Sequence, residues 1–174
     1  MVLEVLFVAV LPAILIAAAV WDLTSFTIPN VFPAALVALF ALYVALCAFG
    51  THPLTLADLG LHFAAGGIGL IAGLLFFALG WIGGGDAKLF AAASLWLGWS
   101  EMFQYALYAS LFGGVLTLGL LVLRGVPLPS GLLGQTWLLR LTDKHAGIPY
   151  GVALSAAALA LLPSSELFRL AAAS

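Results

Sequence analysis

The sequence predicts an all-α polytopic membrane protein of about six transmembrane helices with both termini outside, and three observations carry that expectation. Of 174 residues, 65% are hydrophobic and only 7% are charged, with a mean hydropathy of +1.25. No soluble domain of this size needs so much apolar sequence. Apolar runs close to the length of a bilayer span recur along the whole chain. The few basic residues gather in alternate loops between those runs.

A helix crossing the ~30 Å hydrocarbon core needs about 20 residues. Runs of that kind fall at roughly 2–21, 31–50 and 62–81, a shorter one at roughly 87–99, and two more near 103–123 and 148–163. The first ends at Trp21-Asp22 with no basic leader and no cleavage site, so it reads as a retained helix rather than a signal peptide. The second starts after Pro29, which forces Ile28 towards an extended conformation, and Asn30 is placed to cap it. The third carries Gly66, Gly67, Gly69 and Gly73, a small-residue ridge suited to close helix approach. The fourth follows a triple glycine, Gly83-Gly84-Gly85, and then Asp86. Gly113, Gly114 and Gly119 suit the fifth to similar packing. The sixth starts from a second proline turn, Gly147-Ile148-Pro149-Tyr150-Gly151. Residues 1–174 read as one domain. Its long loop, 125–147, holds Pro127, Pro129, Gly131 and Gly134 beside an apolar stretch from Leu132 to Leu141, a candidate interfacial helix.

Six spans put the loops 22–30, 82–88 and 124–147 on one side, with Lys88, Arg124, Arg140 and Lys144. The other side has only Arg169, so the positive-inside rule makes these three loops cytoplasmic. Asp58 and Glu101 then fall in outer loops, with Glu4 and Glu166 near the outer ends. Trp21 and Trp81 belong to the inner interface, Trp96 and Trp99 to the outer one. Five scattered basic residues exclude a nucleic-acid surface. The lone Cys47 can form neither an internal disulfide nor a multi-cysteine zinc site, and reads as a small buried hydrophobe. His52, His62 and His145 have no metal-ligand spacing and read as solvated or interfacial residues.

Asp22 and Asp86 are thereby brought to the same face of the membrane. Taken singly, Asp22 could simply end the first helix and Asp86 could cap the fourth. Together they need more. An ionised carboxylate at helix-centre depth costs roughly 2.5–3.5 kcal/mol, less near the interface, and is tolerated where it faces protein interior or water. Two carboxyls brought close share one proton and can activate a water. The glycines before Asp86 exceed what a cap requires and permit close approach of another backbone. Lys88 could hold an aspartate charged or anchor the inner interface.

Asp22 followed by Ile28-Pro29-Asn30, then Gly83-x-Gly85-Asp86-x-Lys88-Leu89, then Ile148-Pro149-Tyr150-Gly151, resembles the type IV prepilin peptidase family, the bi-aspartate membrane proteases with a GxGD motif. The resemblance covers nearly the whole chain in order. It implies that Asp22 and Asp86 are the catalytic pair, one as general base towards water and the other as proton donor. It implies that Gly83, Gly84, Gly85, Lys88, Ile28, Pro29, Asn30, Pro149 and Tyr150 shape the site. The implied substrate is a prepilin with a short basic leader and an apolar helix, cleaved without a metal or cofactor at the cytoplasmic face of a bacterial or archaeal plasma membrane. The chain lacks the paired-cysteine zinc insertion of the large N-methylating members. It therefore looks like the short forms that serve tight-adherence (Flp) pili, or like archaeal preflagellin peptidases. Two other readings stand beside it: a small proton- or ion-coupled transporter using the same aspartates, and an assembly subunit whose glycine ridges bind partner helices, with the aspartates incidental.

Overall fold

The computed structural model describes residues 2–48, 54–126 and 135–173, and every regular element among them is helical. In order these are α1 (Val2–Ser25), α2 (Val31–Ala48), α3 (Leu56–Ala78), α4 (Gly84–Leu97), α5 (Trp99–Leu123), α6 (Thr136–Thr142), α7 (Tyr150–Leu161) and α8 (Glu166–Ala173). Four of them, α1, α2, α3 and α5, are long and apolar enough to cross a membrane. The two segments expected as the fourth and sixth spans form the shorter helices α4 and α7. Pro127, Pro129, Gly131, Gly134, Leu132 and His52 lie outside the described residues.

The short helix α4, bounded by Gly83 and Gly98, is enclosed by the core. Ala87, Leu89 and the run from Ala92 to Leu97 are buried on every side of it, with α2, α3, α5 and α7 packed round it. Along α3, Gly66, Gly69 and Gly73 lie directly on Leu95, Ser94 and Ala87 of α4. Gly67, Gly114 and Gly119 face open space instead, so those three take no part in the expected packing. A Cβ at Gly73 would stand 2.9 Å from the Ala87 Cα and 3.1 Å from its carbonyl oxygen. Backbone cannot retreat as a side-chain tip can. Gly73→Val is therefore expected to destabilise the protein by about 1–3 kcal/mol, read as a lowered thermal midpoint in detergent.

Helix ends fall where local chemistry puts them rather than where hydropathy does. α1 runs on to Ser25, because the Thr24 and Ser25 hydroxyls bond back to the Val20 and Trp21 carbonyls at 2.9 and 2.7 Å. Asp22 is thus inside the last turn of α1, not at the start of a loop. α3 begins at Leu56, ahead of the expected 62, because Thr55 and Asp58 cap each other's backbone. Asp58 and Glu101, expected in loops, sit in the first turns of α3 and α5. α4 and α5 are separated by Gly98 alone, at φ +79°, a turn that hydropathy hides. Pro163 ends α7 in a 3₁₀ turn, Leu162–Ser164, and the unanticipated α8 folds back onto α1 through the fully buried Leu167.

Two expected surface residues are core. Trp96, expected at the outer interface, is 2% exposed; it packs at 5.6 Å on Phe40 and donates its indole N–H to the Leu36 carbonyl at 2.8 Å. His62, expected to be solvated or interfacial, is 4% exposed beneath the Gly98 turn, with Nδ1 2.8 Å from the Leu95 carbonyl. Trp96 has its single N–H met inside the bundle, and His62 has its Nδ1 met there, which eases the burial of both rings. Cys47 packs at the edge of the apolar core.

Candidate active site

The segments 22–30, 82–88 and 135–151 meet at one end of the bundle. The start of α1 and the whole of α8 lie at the other, where Phe7 stacks edge-on against Tyr43 and the Tyr43 hydroxyl reaches the Leu167 carbonyl at 3.3 Å. Asp22 is 3% exposed, and its Oδ2 accepts the Gly151 N–H at 2.7 Å. Gly151 is the second residue of α7, so its N–H is one of the donors a helix leaves unpaired at its N-terminus. Asp86 is half-buried at the third position of α4, and its Oδ2 accepts the Gly83 N–H at 2.9 Å. Each carboxyl therefore stands at a helix N-terminus, where the aligned peptide dipoles favour negative charge. The two lie within electrostatic reach of each other.

Glycine makes the closeness possible. Ile28 is 8% exposed and wedged between the two helix starts. A Cβ at Gly85 would stand 2.8 Å from both the Cβ and the carbonyl oxygen of Ile28. A Cβ at Gly151 would overlap the Ile28 Cδ1 and stand 2.8 Å from the Asp22 Oδ2. The chain reaches this wedge through Phe26, which turns in the left-handed region at φ 58° without being glycine. Pro29 then holds Ile28 extended. Gly84 is freer: a Cβ there would be an ordinary 3.5 Å from the Phe77 ring.

The Asn30 side chain does not cap α2; its carbonyl oxygen accepts from Lys88 Nζ at 2.8 Å, while its backbone carbonyl takes the Ala34 N–H at 3.0 Å. Lys88 thus ties the proline corner to α4 rather than pairing with either aspartate. Pro149 is fully buried, and the Tyr150 ring lies across Gly113 of α5. Tyr150, with Phe76, Trp81, Phe90 and Leu154, lines a mostly apolar cavity of about 250 Å³ between α3, α4, α5 and α7. Among the described residues, no three His, Cys, Asp or Glu side chains gather as a metal would require.

Sequence reasoning did not single out two residues that build this end of the bundle. Gly151 supplies the N–H that holds Asp22; its place inside the Ile148-to-Gly151 block was the available signal. Arg124 donates to the Leu141 carbonyl at 2.9 Å and the Gly147 carbonyl at 2.7 Å, fastening the segment that leads into α7. Nothing in the local sequence marks Arg124 for that task beyond its place at the end of α5.

A sequence model described as the type IV leader peptidase family matches residues 9–118, well over half the chain. The match includes both aspartates and stops short of Gly151. Neither the curated proteins nor the solved structures provide a match.

Proposed function

The chain belongs to the type IV leader peptidase family, and we propose that it is a membrane aspartic endopeptidase that removes the short basic leader of type IV, Flp-like prepilins at the cytoplasmic face. One observation carries this reading: carboxyls from α1 and α4, far apart in sequence, stand at one end of the bundle within each other's field. In the proposed mechanism one aspartate is ionised and takes a proton from water. The other is protonated, polarises the scissile carbonyl, and gives its proton to the departing amine. Like charges this close do not both ionise cheaply, so the pair holds one proton between them at rest. Gly85 and Gly151 leave room for Ile28 between the two helix starts, so that the end of α1 and the start of α4 can close up.

The substrate chemistry follows from where the pair sits. A prepilin carries a soluble basic leader joined to an apolar helix, and that junction belongs at the membrane surface. The carboxyls lie at the end of the bundle that carries Lys88, Arg124, Arg140 and Lys144, the cytoplasmic end by the positive-inside rule. The chain is proposed to act without N-methylation, because it lacks the paired-cysteine insertion of the larger members. The test is processing in liposomes holding the purified protein and a prepilin with an intact leader, followed by mass spectrometry. A mature pilin shortened by the leader is expected. An intact prepilin, together with proton flux across the same liposomes, would favour the carrier reading instead.

A further inference from the structure

The cavity between α3, α4, α5 and α7 has walls of two kinds. Rings supply most of it: Phe76 and Trp81 at the end of α3, Phe90 on α4, and Tyr150 at the start of α7. α5 contributes only small side chains, Ala106, Ala109 and Ser110, so the space of about 250 Å³ exists because that wall is thin. The Ser110 hydroxyl donates its proton to the Ala106 carbonyl at 2.8 Å, one turn back, and leaves the cavity no free donor there. Trp81 and Phe76, stacked at 5.5 Å and both exposed, form the outer wall, so rings rather than a packed helix close that side.

Position ties this space to the carboxyls. Ile82 lines it, and the next residue, Gly83, gives its N–H to Asp86 at 2.9 Å. Tyr150 lines it, and the next residue, Gly151, gives its N–H to Asp22 at 2.7 Å. Phe90 follows Asp86 by one turn of α4, on the same helix face and about 6 Å further along the axis. The cavity therefore lies just beyond the pair, towards the middle of the bundle.

We propose that this cavity is a specificity subsite, taking one large apolar side chain from the residue that follows the scissile bond, and that Ala106 on α5 sets its size. Volume and chemistry both point to that occupant. The space falls below the roughly 300–1,000 Å³ of small-molecule sites, and a helix about 10 Å across does not fit. One aromatic or long aliphatic side chain does, among rings that favour stacked and edge-on contacts. A substrate cut where a soluble leader meets an apolar helix presents such a side chain on the bilayer side of the bond, and the cavity lies on that side of the carboxyls. The inference rests on the peptidase reading for the identity of the substrate.

The experiment takes a prepilin with Ala, Leu or Phe at the residue after the cut, and compares wild type, Ala106→Phe and Leu107→Phe in liposomes. Ala106→Phe fills the cavity. Leu107→Phe adds bulk to the neighbouring position of α5, which is exposed and does not line it. Wild type is expected to favour the Leu and Phe substrates over the Ala one by at least about tenfold in kcat/KM, the discrimination a hydrophobic pocket gives for as little as one methylene. Ala106→Phe should lose that preference, failing on the Phe substrate and leaving the Ala substrate nearly unchanged. Leu107→Phe should match wild type on all three. Damage to the fold would lower all three rates together, so the crossed pattern separates filling from unfolding; if Ala106→Phe does not fold, Ala106→Leu takes its place.

In parallel, a prepilin with a diazirine-substituted phenylalanine at the same residue is irradiated with Asp22→Asn protein, and the adduct is mapped by mass spectrometry. Adducts on Phe90, Ala106 or Leu154 are expected. Equal wild-type rates on the three substrates would overturn the subsite, as would adducts confined to lipid or to residues outside the cavity. Should wild type cut no prepilin at all, the peptidase reading fails, and the adduct alone then decides whether the cavity takes the side chain.

Discussion

Gly85→Val is expected to insert and fold yet lose leader removal by at least a hundredfold. The reason is geometric. The first atom added at position 85 would stand 2.8 Å from the Ile28 Cβ and carbonyl oxygen, and valine brings two methyls more. Ile28 cannot step aside, because its Cδ1 already presses on Gly151 and Pro29 fixes its backbone. The collision must therefore be relieved by moving the start of α4 away from the end of α1, and that movement separates Asp86 from Asp22. Misplacing a reacting group by about 1 Å can cost a hundredfold in rate. The bundle itself should survive, since the α3–α4 seam at Gly66, Gly69 and Gly73 lies along the other face of α4. Gly84→Ala is the control: its Cβ meets only the edge of Phe77 at 3.5 Å, and near-normal processing is expected. Rates of leader loss in liposomes, with thermal midpoints measured alongside, check both variants. Full turnover by Gly85→Val would remove close backbone approach from the account.

Much of this arrangement was legible in the sequence, and the reasons are particular. The apolar runs gave the helices and their order, because membrane length imposes a strong period on composition. The alternation of basic loops gave the shared end of Asp22 and Asp86. The glycine ridge of α3 gave its partner surface, although only three of its four glycines touch α4. Boundaries were less legible, because they are set by single hydrogen bonds: the Thr24 and Ser25 hydroxyls lengthen α1, the Thr55–Asp58 box starts α3 early, and Gly98 splits α4 from α5. Burial of polar rings was hidden for the same reason. Trp96 and His62 look interfacial until the Leu36 and Leu95 carbonyls that receive them are known. At the candidate site, hydropathy could place the carboxyls on one face but not the groups that hold them. The Gly151 N–H on Asp22, and the exchange between Lys88 and Asn30, depend on how the α1–α2 corner folds against two other helices.

The largest effect is expected at the aspartates themselves. Asparagine matches aspartate in shape, can still accept the Gly151 or Gly83 N–H through its amide oxygen, and adds no charge to the bundle. Neither Asp22→Asn nor Asp86→Asn should unfold the protein, and removing one of two neighbouring carboxyls relieves their repulsion. Chemistry is another matter. An amide neither takes a proton from water nor gives one to a leaving amine at neutral pH, so each variant loses an acid–base role worth about 10²–10⁴ in rate. Because the pair works as a unit, loss of either member should cost nearly as much as loss of both. The decisive measurement is leader removal from a prepilin by wild type, Asp22→Asn, Asp86→Asn and the double variant, in the same liposomes, with mass spectrometry of the product and confirmation that each protein is inserted. The account predicts a shortened pilin from wild type alone, and equal background from all three variants. A shortened pilin from either single variant, at a rate near wild type, would contradict it.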